Sequence, residues 1–154
     1  MRRLSALCSL ALLVGGAALA GCGEAEVAAG ARVAVYVAAP LCREAGLVLR
    51  EAGGEAGGLG VRATCLPPVE KGGHADLAAA GAAARRASED STAVAYLEAP
   101  GPGAKFGRSI LESAEIAWLE TRSGSTAMRQ VLRALEKRGS SSPRTAVRES
   151  FAND

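Results

Sequence analysis

Two kinds of apolar run alternate along this chain, and their spacing sets the expected architecture. Val33-Ala34-Val35-Tyr36-Val37 is a continuous β-branched and apolar stretch, the composition of a strand buried on both faces. After Pro40, the residues Leu41, Ala45, Val48, Leu49 and Ala52 recur at helical spacing, and Gly53-Gly54 supplies a stop. The alternation then repeats. A glycine-rich turn through Gly60 leads to a second strand, Val61 to Leu66, closed by Pro67-Pro68. A loop through Gly72-Gly73-His74 opens an alanine-rich helix from about Ala75 to Glu89. Ala93 to Leu97 is a third strand, Ala104 to Ser113 a third helix and Ile116 to Leu119 a fourth strand. Ser123, Gly124 or Ser125 caps a fourth helix, in which Met128, Val131, Leu132 and Leu135 follow the i, i+3, i+4, i+7 pattern. Ser140-Ser141-Ser142 links to a short last helix, with Ser142 as cap, Pro143 in the first turn, and Val147 and Phe151 on one face. Four strands alternating with helices predict an α/β fold: a single three-layer αβα lobe on a mainly parallel four-stranded sheet, since right-handed crossovers must cover both faces.

Ahead of these elements stand Arg2 and Arg3, then an uncharged apolar run from Leu4 through Val14, then small residues ending Leu19-Ala20-Gly21-Cys22. That order is the order of an export signal. Its last four residues resemble the lipobox of bacterial lipoproteins, in which cleavage before the cysteine leaves a sulfur that carries a diacylglycerol. The resemblance implies a signal peptide over residues 1–21, lipidation at Cys22, and a flexible tether over residues 22–31 holding the protein to the outer face of the cell membrane. The competing reading is a membrane-spanning helix, but the run falls short of the roughly 20 residues needed and no basic stop-transfer cluster follows it. The lobe is then expected over residues 32–138, with a linker and short helix over residues 139–154.

Removing residues 1–21 from the 154 leaves 133, enough for one domain with an ordinary core. The leader takes two of the 18 basic residues and none of the 16 acidic ones, so the remainder carries equal numbers of each. A phosphate-binding surface needs a basic excess, so nucleic acid is not an expected partner. Five aromatic residues leave little material for stacking platforms. Of the four cysteines, Cys8 leaves with the signal and Cys22 takes the lipid, which leaves Cys42 and Cys65. In an oxidising compartment such a pair forms a disulfide, the alternatives being free thiols or a metal site. Metal binding is disfavoured because His74 is the sole histidine and no C-x-x-C or H-x-x-H spacing occurs.

In open α/β sheets, ligands bind outside the carboxyl ends of the strands. The loops to inspect are therefore Ala38 to Pro40, Leu66 to Glu70, Glu98 to Lys105 and Glu120 to Ser125, with Pro40, Pro100 and Gly101 as candidate ligand contacts. In the last loop Thr121 and Ser123 offer hydroxyls, and the N–H groups from Ser123 through Gly124 to Thr126 form a helix start suited to a carboxylate. The same hydroxyls could serve only as helix caps. The glycine loop Gly101 to Gly107, with Glu120 some twenty residues on, has the outline of a dinucleotide fingerprint. Its third glycine is displaced by one position and it follows the third strand rather than the first, so no cofactor is expected. Glu112 and Glu115 suit a solvent-facing helix end better than an acid/base pair, and no G-x-S-x-G elbow occurs. An enzyme is not the expectation.

Several segments resemble a known family. The helix Ala78 to Arg86, the strand Asp90-Ser91-Thr92-Ala93-Val94-Ala95-Tyr96-Leu97, and the run Arg108-Ser109-Ile110-Leu111-Glu112-Ser113-Ala114-Glu115-Ile116-Ala117 look like the amino-terminal lobe of the Leu/Ile/Val-type solute-binding proteins of ABC transporters. Ala38-Ala39-Pro40-Leu41 fits the end of that family's first strand and turn. Ala127 to Leu135, followed by Pro143 to Arg148, is similar to its carboxyl-terminal helix and tail. The resemblance implies a flavodoxin-like half of the periplasmic-binding-protein type I fold with the second lobe missing. It also implies that Thr121 and Ser123 grip an amino-acid-like solute, whereas Glu98-Ala99-Pro100-Gly101 offers no hydroxyl where the family has one. Two functions follow as expectations. One is a lipid-anchored, single-lobe relative of branched-chain amino acid receptors, serving an ABC permease. The other is a non-transporting lipoprotein whose fold serves protein interaction or self-association.

Overall fold

The computed structural model describes residues 31–71 and 74–153. The expected signal peptide, the expected lipidation site Cys22 and residues 22–30 of the expected tether lie outside the described residues. The valine-rich run forms β1 (Arg32–Val37), buried at every position after the first. On one side of it lies β3 (Leu59–Cys65), parallel, with Arg32 opposite Gly60 and Val37 opposite Cys65. On the other side lies β6 (Ala93–Glu98), also parallel, followed by β7 (Ala117–Glu120).

The sheet departs from the mainly parallel four-stranded expectation. A fifth strand, β2 (Glu55–Ala56), pairs antiparallel with β3, so the sheet is mixed and its order is β2-β3-β1-β6-β7. The cause is the two-residue turn Gly57-Gly58, where φ is +56° and +76°. Two successive left-handed residues make the hairpin turn whose twist matches the flanking strands. A stretch that reads as a glycine loop therefore doubles back and caps the sheet edge. A second hairpin, β4 (Glu70–Lys71) with β5 (His74–Ala75), stands apart from the main sheet, where a plain loop is expected.

Helices cover both faces. α1 (Ala39–Glu51), α4 (Gly124–Lys137) and α5 (Pro143–Ala152) pack with the three valines of β1, and Met128, Val131, Leu135 and Val147 are fully buried there. α2 (Leu77–Glu89) and α3 (Arg108–Ser113) cover the opposite face. Ala83, Ala84 and Ala87 of α2 pack in one cluster with Tyr36 and Tyr96, whose rings lie nearly parallel with centroids 6.5 Å apart. Small residues opposite large rings let helix and sheet approach closely. α2 starts two residues later than its alanine pattern suggests, because the Asp76 carboxylate accepts from the Ala79 N–H at 2.9 Å and caps it. α3 is shorter than expected: residues 102–107 form successive turns, consistent with their glycines and Pro102.

Arg144 fastens α5 to the sheet. Its guanidinium donates to the carbonyls of Ala93 at 2.8 Å, Ala114 at 3.3 Å, and Asp90 and Ser91 at 3.1 Å each. At the same end, the Asp90 carboxylate accepts from Thr92, Tyr36 and Arg62. Burial by itself would raise the pKa of Asp90, but the Thr92 and Tyr36 hydrogen bonds and the Arg62 charge hold it below the usual carboxylate value.

Candidate functional site

The strand order creates one crevice by topology. From β1 the chain leaves through α1 on one face to reach β3, and from β6 it leaves through α3 on the other face to reach β7. The connections after β1 and β6 therefore diverge, and the space between them is the switch point of an open α/β sheet. A cleft of about 180 Å³ lies there. Three of the four loops singled out from the sequence line it: Ala38 to Pro40, Leu66 to Val69, and Glu98 to Ala104.

Tyr96 and Glu98 form the polar part of the lining, two residues apart on β6 and so on the same face. Glu98 is only 6% exposed. Its neighbour in register on β7 is another glutamate, Glu120. Burial pushes the Glu98 carboxyl up to about 7, and the charge of Glu120 adds to the rise. Hydrogen bonds from the Ala99 N–H and the Tyr96 hydroxyl offset part of it. Burial, and then the proximity of Glu98, raise the Tyr96 phenol in turn. The site thus holds a carboxyl close to half-ionised at neutral pH, in walls made otherwise of alanine, proline, glycine, leucine and valine.

Of the candidate residues, Pro40, Pro100 and Gly101 line this cleft. Thr121, Ser123 and Gly124 do not. The Thr121 N–H donates to the Glu98 carbonyl at 2.8 Å, and the Thr121 hydroxyl accepts from the Ser123 N–H at 3.1 Å. Ser123 is the cap of α4, accepting from the Thr126 N–H at 3.2 Å. Gly124 sits so close to α1 that a Cβ there would collide with the Leu41 carbonyl. The start of α4 faces a carboxylate of the chain itself, since Glu44 on α1 accepts from the Ser125 N–H at 3.3 Å.

Cys42 and Cys65 form a disulfide, with Cα atoms 5.7 Å apart. Cys42 follows Pro40 by two residues and Cys65 precedes Leu66, so the bridge ties two walls of the cleft together. His74 is exposed on β5. Among the described residues no group of three or more histidines, cysteines or carboxylates comes together to hold a metal ion, and no helix is long and apolar enough to cross a membrane.

Sequence reasoning passed over Tyr96 and Glu98 as site residues. The available signal was a lone carboxylate at the end of an otherwise apolar strand, directly ahead of Ala-Pro-Gly-Pro. Read as the first residue of a loop, Glu98 is expected to be solvated; as the last residue of β6, it is buried. The chain matches no family model, no curated protein and no solved structure.

Proposed function

We propose that this chain is a lipid-anchored envelope protein that binds a small solute with one lobe, and that the solute occupies the cleft at the switch point. In this reading Cys22 carries the lipid and residues 22–31 form the tether. The lobe is a flavodoxin-like half of the periplasmic-binding-protein type I kind, related to receptors that serve ABC permeases. The observation that carries the reading is the cleft itself: a concave, mostly apolar site with one buried carboxyl, placed where open α/β sheets bind ligands. The Thr121–Ser123 loop is set aside as the ligand grip because the Thr121 hydroxyl accepts from the Ser123 N–H, the Ser123 hydroxyl caps α4, and the Ser125 N–H beside them donates to Glu44.

A thermal-shift screen of the full chain against small polar and amphipathic solutes tests the proposal. A true ligand at about 100 times its dissociation constant adds about 2.7 kcal/mol of stability. Absence of a shift with every solute would overturn the binding reading in favour of a lipoprotein that acts through protein interaction.

A further inference from the structure

The chemistry of the cleft narrows its ligand beyond what the family resemblance implies. An amino acid needs a partner for its carboxylate, either a cation or a set of converging N–H donors. Among the described residues lining the cleft there is no lysine, arginine or histidine. Five wall residues, Pro40, Pro67, Pro68, Pro100 and Pro102, also withhold a backbone donor, since proline has no N–H. The negative field is reinforced by Glu120, in register beside Glu98. A ligand carboxylate would therefore enter a site with a buried acid and, among the described residues, no cationic side chain to offset it.

An ammonium group meets the opposite situation. Glu98 is a buried acid in the lining of the site, and a buried carboxylate is stabilised by an ion partner that is itself desolvated. The rest of the ligand must be small and apolar. The cleft's roughly 180 Å³ is close to the 150 Å³ or so of an engineered cavity that holds benzene, and Leu66, Val69 and the prolines provide apolar contact.

We infer that the solute is a compact organic amine, bound as its cation through Glu98, with an apolar body of about five to eight heavy atoms and no carboxylate. The inference rests on the binding role proposed above for the same cleft. The ionisable groups near Glu98 are Tyr96 on its own strand and Glu120 on β7, and the described wall residues add none. Affinity for the cation then follows ionisation of Glu98, rising about tenfold from pH 6 to pH 8 while the amine stays charged.

Three probes with the same branched body decide it: isopentylamine, isopentanol and leucine, titrated calorimetrically into the full chain at pH 6 and pH 8. The expected result is binding of isopentylamine alone, about tenfold tighter at pH 8, and at least a tenfold loss of affinity in Glu98→Gln. Equal or tighter binding of isopentanol or leucine would overturn the amine inference and leave the solute site standing. If isopentylamine fails while other solutes shift the thermal transition, the amine inference alone falls. Failure of every solute removes both. Should Glu98→Gln not fold, the wild-type comparison of amine with alcohol at the two pH values decides the matter without it.

Discussion

A glutamate closes the strand Ala93–Glu98, whose other five positions are apolar, and its burial at 6% exposure has a measurable consequence apart from any ligand. The folded-state pKa of about 7 stands above the ordinary 4.5. Between these values the unfolded chain has released the proton while the folded chain still holds it. Stability is therefore fully present below about pH 4.5, falls as pH rises toward 7, and levels off above. Glu98→Gln removes this dependence. Chemical denaturation at pH 5 and pH 8 should show the variant gaining about 2 kcal/mol on the wild type across that interval. Equal pH dependence of the two proteins would show that Glu98 is solvated. Asp90 does not confuse the comparison, because its lowered pKa confines its loss of stability to more acid solution. The residue identities were plain in the sequence, but burial was not, because it depends on the sequence-distant loops that share the cleft with Glu98.

At the level of elements, the helices and strands were legible where local chemistry settles them. Ser123, one of the three residues expected to cap α4, and Ser142, the expected cap of α5, accept from the Thr126 and Thr145 N–H groups. Val147 and Phe151 share a face directed at the core. Elements held by pairing rather than by periodicity escaped notice: β2, β4 and β5 are two residues each, too short to carry an alternation signal. The turn that makes β2 gives a sharp test. Gly57 has φ +56°, and a Cβ there would run into the Leu135 carbonyl, whereas Gly58, at φ +76°, has nothing within 4 Å of that position. Gly57→Ala should cost about 2 kcal/mol or more in urea unfolding, and Gly58→Ala about 1 kcal/mol. Similar costs for the two would mean that α4 does not press against the hairpin.

For the whole molecule, the disulfide is the device that joins sequence-distant parts at the site, spanning a sequence separation of 23 residues from α1 to the end of β3. Chain-entropy arguments assign such a loop about 3 kcal/mol. Reduction, or the double substitution Cys42→Ser with Cys65→Ser, should lower the unfolding free energy by about that amount in urea titrations with and without reductant. An unchanged urea midpoint would contradict the bridge. Sequence alone determined the alternation of the main strands with helices, the α/β class and the Ser142 cap, because each follows from composition or from neighbours a few residues apart; it offered Cys42 and Cys65 as a disulfide pair but left other states open, and the fold brings their Cα atoms to 5.7 Å. Only the tertiary structure decided the strand order and the antiparallel edge, and with them where the switch point falls. It also brought Glu44 to the start of α4 and buried Glu98 in the cleft. Those outcomes depend on packing between residues tens of positions apart, for which no local pattern in the chain carries a signal.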